Sequence, residues 1–367
     1  MVRLWTCPSR SDACSSIRTP VGANGQGPET FYRSNALLGG AVRMKKRKIE
    51  VFVADDVPPW VKDRLGGQFC LSSQLASGHE TRAIISGSDT SGNRTIDANL
   101  LHQMPAVEVI VGFGAGYDRI DVEAAWRRGI TVTNTPKVHA EDVADFSVGL
   151  MIATLRQIPA ADAFVRQGLW SSRPYPLTGE SLQGKKVGIV GMGAIGKAVA
   201  RRLTAFNVEI SYHGRNPQPE LPFLYHSSLL SIARDVDILV LAIPGGPSTD
   251  KLVDASILSA VGENGYVINV SRGSVVCEAS LLAALSSGSI KGAGLDVFAH
   301  EPAINPAFLS LENVVLQPHV ASATTRTREA MWQLVIDNLS SWAKGSGVIT
   351  PVQPTLLRRI SIQLLSG

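Results

Sequence analysis

Residue types able to move protons and bind anions concentrate late in the chain, in three segments. They are Asn269-Val270-Ser271-Arg272-Gly273, Asp296-Val297-Phe298-Ala299-His300-Glu301-Pro302 and Gln317-Pro318-His319-Val320-Ala321-Ser322. Each follows a short apolar run of strand character, and open α/β sheets bind ligands at such strand ends. Arg272 and Glu301 are 29 residues apart, and Glu301 and His319 are 18 apart. Imidazole gives and takes a proton near neutral pH, and a carboxylate hydrogen-bonded to the ring favours the charged form and fixes its orientation. A guanidinium beside them binds a carboxylate and polarises a carbonyl. Alone, a His after Pro is better read as structural; the company of Arg272 and Glu301 makes His319 a candidate proton donor.

A second chemical signal is Gly191-Met192-Gly193-Ala194-Ile195-Gly196, which follows the apolar run Val187 to Val190 and opens the helical run Lys197 to Leu203. In that setting Gly191 permits a tight turn, Gly193 lets backbone approach a pyrophosphate at a helix N-terminus, and Gly196 allows close helix–strand packing. About 20 residues on, NAD-binding folds carry Asp or Glu for the ribose 2′-OH. Here the segment reads Tyr212-His213-Gly214-Arg215-Asn216, with no acid. Arg215 suits a 2′-phosphate that an acidic residue would repel, so NADPH/NADP+ is expected over NADH.

These residues need a scaffold, and the chain supplies strand-like runs alternating with helical ones, the mark of a parallel sheet. The first series contains Ile49 to Ala54, Ala83 to Ser86, Val107 to Gly112 and Thr131 to Asn134. A helix over Asp142 to Arg156 then joins two lobes. The second series has six predicted strands: Val187 to Val190, Val208 to Tyr212, Ile238 to Ala242, Val267 to Val270, Gly292 to Asp296 and Val314 to Leu316. A final helix spans about Thr327 to Ala343.

Length and composition fit this plan. The 367 residues suffice for two domains, with 44% hydrophobic and 18% charged residues, values of a globular protein. No apolar run approaches the roughly 20 residues that span a bilayer. Residues 1–48 hold 9 Lys/Arg against 2 Asp/Glu, whereas the rest holds 26 against 29. The folded body therefore lacks the basic surface that nucleic acid requires. The tail reads as sequence upstream of a start at Met44, as a transit-type peptide or as a functional tail, disordered in each case. Cys7, Cys14, Cys70 and Cys277 form no C-x-x-C pair or metal spacing, which suits a reduced compartment and no structural metal.

The three polar segments, the glycine fingerprint, the turn Gly112-Phe113-Gly114-Ala115-Gly116-Tyr117-Asp118 and the helix start Val143-Ala144-Asp145 together resemble the D-isomer-specific 2-hydroxyacid dehydrogenase family. The likeness covers nearly all of residues 49–350. It implies an α/β fold of two Rossmann-like lobes: a flavodoxin-like substrate lobe (49–147 with 325–350) and a doubly wound parallel-sheet nucleotide lobe (148–324). Residues 351–367 would form a C-terminal extension. The chemistry implied is hydride transfer to the carbonyl carbon of a 2-oxoacid, with His319 as general acid, Glu301 orienting it and Arg272 binding the substrate carboxylate. Gly114, Ala115 and Gly116 resemble the second clamp on that carboxylate. The cofactor contacts implied are Gly191, Met192, Gly193, Ala194, Ile195, Gly196, Arg215, Asn216, Ile243, Pro244, Thr249, Val270, Ser271, Arg272, Asp296 and His319. For Asp296, capping a turn is the alternative to a nicotinamide contact. His300 reads as surface and Cys277 as a small buried hydrophobe.

Within the family, Arg215 and the segment Pro318-His319-Val320-Ala321-Ser322-Ala323-Thr324 are similar to NADPH-dependent glyoxylate/hydroxypyruvate reductases. Loops such as Ser86-Gly87-Ser88-Asp89 shape the rest of the pocket, so phosphoglycerate or aromatic 2-oxoacid dehydrogenases are the alternatives. A reading of another class is a dinucleotide-sensing interaction protein, but a sensor has no need of a proton donor. The resemblance further implies a homodimer formed through the nucleotide lobe, with Asp145 to Arg156 and the segment to Trp170 supplying the apolar face. A cytoplasmic location is expected, with organelle targeting by residues 1–48 as the alternative.

Overall fold

Strands such as Ile238–Leu241 (ILVL) and Val109–Gly112 (VIVG) are apolar on both faces, with no polar alternation. Such strands need cover on both sides, which a parallel sheet flanked by helices provides. The computed structural model describes residues 47–75, 80–87, 94–177 and 180–353. Most of the basic tail (1–46), Ser88 and Asp89 of the pocket loop, and residues 354–367 lie outside this set.

The first lobe runs β1 (Ile49–Val53), α1 (Pro59–Leu65), β2 (Phe69–Ser72), β3 (Thr81–Ser86), α2 (Ala98–His102), β4 (Val109–Gly112), α3 (Val122–Arg127) and β5 (Thr131–Thr133). Its five strands are ordered β2-β1-β3-β4-β5, all parallel, which is the flavodoxin-like order. Then follow α4 (Ala140–Leu155), α5 (Ile158–Arg166), β6 (Lys186–Val190), α6 (Ala194–Leu203), β7 (Glu209–His213), β8 (Leu224–His226), α7 (Leu229–Asp235), β9 (Ile238–Leu241), α8 (Ala255–Val261), β10 (Tyr266–Asn269), α9 (Glu278–Ser287), β11 (Gly292–Leu295), β12 (Val314–Leu316) and α10 (Thr325–Ala343). The second sheet, β12-β11-β10-β9-β6-β7-β8, is parallel throughout. It is the doubly wound nucleotide-binding order with an added edge strand. The sequence reading missed both β2 and β8, so the second sheet has seven strands rather than six.

Each sheet has a core on either face. In the second lobe, α4 and α6 pack on one side with Val187, Ile189 and Ile268, while α7, α8 and α9 cover the other with Leu239, Leu241 and Val267. In the first lobe, α1 and the returning α10 bury Val61, Trp332, Val335 and Leu339 against β1 and β4; α2 and α3 cover the opposite face. A lobe boundary at residue 147 would cut α4, whose Val143, Ala144 and Val148 share one core with β6. The crossing therefore falls before Ala140, and α4 belongs wholly to the nucleotide lobe. The return crossing meets it there. The Asp142 carboxylate on α4 accepts hydrogen bonds from the hydroxyls of Thr324 and of Thr327 (2.6 Å for the latter), which hold it below its ordinary pKa.

The expected extension from 351 also needs correction at its start. Pro351 bridges Thr133, and the Val352 N–H donates to Val132 O at 2.8 Å, so the chain finishes β5's free edge before residue 354. Asn338, buried on α10, fixes this return by accepting from the N–H groups of Ile349 and Thr350. No single helix among the described residues is long and apolar enough to cross a membrane.

Because α10 closes the first lobe from the far end of the chain, truncating its buried Leu339 to Ala should destabilise that lobe by about 2–5 kcal/mol. Denaturant unfolding followed by tryptophan fluorescence checks this; an unchanged midpoint would mean that α10 is not integral to the lobe.

Candidate active site

Helices after β6 and β9 leave toward opposite faces, so the crevice between these neighbouring strands is the switch point where an open sheet binds its ligand. Gly191 turns here at φ 99°, and a Cβ on it would lie 2.5 Å from Ala242 O and 2.6 Å from the Ile243 side chain. Gly196 must also be bare, since its Cβ would lie 2.0 Å from Gly191 O. Gly193, at the N-cap of α6, has nothing within 4 Å of a Cβ position. That open space sits over the unpaired N–H groups of a helix start, where Ala194 and Ile195 begin the first turn.

Arg215 and Asn216 are exposed just beyond β7, and Arg215 makes no ion pair with any described residue. Their loop is pinned to the glycine turn. The Gln218 side chain donates to Met192 O at 3.0 Å, Gln218 N donates to Tyr212 Oη at 2.7 Å, and Tyr225 Oη donates to Gly214 O at 3.1 Å. Beyond β9, the Thr249 hydroxyl closes a loop onto Pro244 O at 2.8 Å. The turn, the open space and the guanidinium fit a phosphorylated dinucleotide. The side chains of Val270 and Ser271 are buried, the first in the core and the second on Asn269.

The three polar segments converge on one cleft of about 460 Å3 between the lobes, lined by Arg272, Glu301 and His319 among others. Asn269 builds the first corner: its Oδ1 accepts from Ser271 N and Oγ, and its Nδ2 donates to Arg272 O. Gly273 lies against the Phe298 backbone so closely that a Cβ would fall 1.8 Å from Phe298 C. The loops after β10 and β11 thus touch, and Arg272 comes beside Glu301. Glu301 accepts from Phe298 N at 2.8 Å through Oε1 and from His319 Nδ1 at 2.7 Å through Oε2. A carboxylate can only accept, so Nδ1 carries the proton that it donates to Glu301. Burial alone would push the Glu301 carboxyl up; the His319 hydrogen bond and charge, the Phe298 N–H and the Arg272 charge together hold it below its ordinary value.

His319 has φ 54°, in the left-handed region. Its N–H donates to Asp296 O, while Val320 N and Ala321 N donate to Asp296 Oδ1 (2.8 Å) and Oδ2 (3.0 Å). Of the two roles weighed for Asp296, the geometry displays the turn-holding one: the side chain is 1% exposed and both oxygens are engaged. Burial raises its pKa, against the pull of those two N–H groups.

On the first lobe, Gly116 lines the cleft and its neighbour Ala115 is half-buried. Gly114 is a correction: it is buried, and its N–H donates to Thr135 Oγ1 at 2.9 Å, so it shapes the clamp loop rather than serving as a clamp. Thr135 N donates to Gly114 O, and Asn134 Nδ2 donates to Ala115 O. No spacing in the sequence pointed to Asn134, Thr135 or Gln218; only a fold that brings β5 beside β4 and β7 beside β6 reveals them. His300 is exposed, as the sequence reading has it, and lines the cleft. One further reading changes. Cys277 is half-buried rather than core, at the N-cap of α9, with its thiol pKa lowered by the Ser280 hydroxyl.

Comparison with known proteins gives consistent results. Residues 148–321 match the D-isomer specific 2-hydroxyacid dehydrogenase NAD binding domain. The chain is 43% identical over 307 residues to a 2-ketogluconate reductase of Gluconobacter oxydans, covering 83% of this chain and 99% of the relative. It is 42% identical to a glyoxylate/hydroxypyruvate reductase of Arabidopsis thaliana, over 70% of this chain and 82% of that one. Among solved structures, an NADPH-dependent glyoxylate/hydroxypyruvate reductase of Sinorhizobium meliloti, in complex with NADP and malonate, superposes with a TM-score of 0.78 at 43% identity. That alignment covers 83% of this chain and 97% of the other.

The Glu301–His319 pair makes a pH prediction. A carboxyl held below its unfolded value contributes stability above that value and loses it as pH falls through the folded pKa. Glu301→Gln should therefore lower the melting temperature at neutral pH, and the gap to wild type should close as the pH drops below the ordinary carboxyl value of 4.5. Calorimetry from pH 3 to 8 checks this; a gap that widens toward acid would contradict the pairing.

Proposed function

This chain belongs to the D-isomer-specific 2-hydroxyacid dehydrogenase family, and from that premise we propose that it reduces a small hydroxylated or unsubstituted 2-oxoacid, hydroxypyruvate or glyoxylate, to the D-2-hydroxyacid with NADPH. The observation that carries this reading is the convergence of Arg272, Glu301 and His319 on one cleft beside a dinucleotide turn that lacks an acid and offers Arg215. NADPH, when bound, supplies the hydride.

The remaining steps belong to the protein. Gly191 to Gly196 and the α6 N-terminus would hold the pyrophosphate, and Arg215 would hold the 2′-phosphate. Arg272 and the Gly116 backbone hold the substrate carboxylate, which directs the carbonyl oxygen to His319 Nε2. That imidazolium donates its proton as negative charge grows on the oxygen, and Glu301 stabilises the ring's charge throughout. Closing the two lobes over the cleft excludes water.

The relatives' names support the small-oxoacid class, and the first of them favours a second candidate, 2-ketogluconate. A panel of glyoxylate, hydroxypyruvate, 2-ketogluconate and hydroxyphenylpyruvate, with NADPH and NADH in parallel, separates them by kcat/KM. We expect hydroxypyruvate and glyoxylate with NADPH to lead; a lead by the aromatic substrate or by NADH would overturn the substrate or cofactor assignment. His319→Ala should lower kcat by about 100-fold or more with unchanged NADPH affinity, and Arg215→Asp should reverse the cofactor preference. Full turnover by the His319 variant would remove the mechanism.

The same reading includes a homodimer. Ile158, Val165 and Trp170 (68% exposed) form an apolar strip along α5 and the turn after it, an unusual surface for a monomer. Light scattering at micromolar concentration should give twice the chain mass, and Val165→Asp with Trp170→Asp should halve it; a wild-type monomer would refute the assembly.

A further inference from the structure

Arg272 belongs to the nucleotide lobe, but its guanidinium is held from the other one. Its Nε donates to Asp118 Oδ2 at 2.8 Å, and its Nη1 donates to Ser271 O at 2.8 Å. Asp118 lies in the loop after β4, so the ion pair crosses the cleft between the lobes. Both partners are partly shielded, with side chains 25% and 34% exposed.

Two glycines leave the space for this pair. A Cβ on Gly116 would fall 1.8 Å from Arg272 Nη2 and 2.9 Å from Asp118 Oδ2. A Cβ on Gly245, in the loop after β9, would fall 2.9 Å from Arg272 Cγ and 3.0 Å from Asp118 Oδ1. Three loops from two sheets thus close around one guanidinium. With Nε and Nη1 engaged, the plane of the fork is fixed and Nη2 lies against Gly116, the backbone group that shares the substrate carboxylate in the proposed function.

We propose that Asp118 is the positioning residue for Arg272: it fixes the guanidinium plane so that Nη2 and the Gly116 N–H form one preset carboxylate clamp spanning the two lobes. This rests on the reading of Arg272 as the anion binder and adds a residue to it. The physical reason is the freedom of the side chain. Arginine carries about 2 kcal/mol of rotamer entropy, part of which an untethered guanidinium would lose on meeting each substrate. A hydrogen bond at Nε restrains rotation about the last bonds and so sets the direction of the guanidinium plane. An acceptor at position 118 is what the geometry requires; its negative charge is secondary.

That distinction sets the test. Asp118→Asn keeps an acceptor oxygen in place of the carboxylate, whereas Asp118→Ala removes it. Steady-state kinetics on hydroxypyruvate at saturating NADPH should show kcat reduced about 100-fold in Asp118→Ala, the effect of misplacing a reacting group by about an ångström. Asp118→Asn should stay within about fivefold of wild type, and both variants should keep wild-type NADPH affinity by fluorescence titration. Oxalate, a non-reacting dicarboxylate, should bind about tenfold more weakly to Asp118→Ala by calorimetry, with Arg272→Gln as the control for loss of the clamp. Wild-type kcat and oxalate affinity in Asp118→Ala would overturn the proposal, as would an Asp118→Asn variant as impaired as Asp118→Ala. Should the wild type turn over none of the oxoacids, the functional reading fails separately, and the oxalate affinities of the two variants still decide the role of Asp118.

Discussion

His319 is kept in a left-handed backbone conformation, which costs a residue with a side chain about 1–3 kcal/mol, and the Asp296 carboxylate is what keeps it there. The carboxylate itself is buried at a strand end, a placement that would be unfavourable without the two N–H groups it accepts from. Each feature offsets the penalty of the other. The turned backbone points Val320 N and Ala321 N at Asp296, and Asp296 in turn fixes the direction in which His319 leaves the chain. Only with that direction set does Nδ1 meet Glu301 at 2.7 Å. A chain lacking the acid at 296 would retain Arg272, Glu301 and His319 and still lose the turn that aims the imidazole.

Glycine does the complementary work of removing obstacles. At Gly273 the obstacle would be the Phe298 backbone, and at Gly116 it would be the arginine that the site depends on. These positions differ from Gly191, where conformation as well as space forces the choice. The first kind lets loops from different strands touch, and the second lets one loop turn sharply. The cleft needs both, since its polar groups come from four strand ends whose own hydrogen bonds are already taken by neighbouring strands.

How much of this could be read from the sequence follows from how local each signal is. Gly191 to Gly196, the Arg272-Gly273 corner and the Glu301 segment carry their meaning within a few residues, and the expected chemistry rests on them. The edge strands Phe69–Ser72 and Leu224–His226 were missed because they are short and paired on one side only, so neither needs a long apolar run. The lobe boundary was set too late because α4 is apolar over most of its surface, and sequence alone does not say which sheet it covers. Gly114 was assigned to the clamp by likeness, yet its N–H is claimed by Thr135, a residue 21 positions away that only the β4–β5 pairing brings near. Residues acting through another residue, such as Gln218 and Asn134, leave no periodic or motif-level trace.

The division of labour between the lobes follows from the strand order. Arg272, Glu301 and His319 stand on loops after β10, β11 and β12, consecutive neighbours in one sheet. The backbone positions of all three are therefore set by one sheet, while the Arg272 guanidinium is held in addition from the other lobe by Asp118. The first lobe adds Gly116 and Asp118, which lie against the Arg272 guanidinium, while Glu301 and His319 pair within the nucleotide lobe. At Asp142 the two chain crossings meet, and the hydroxyls of Thr324 and Thr327 tie the returning chain to α4 of the nucleotide lobe.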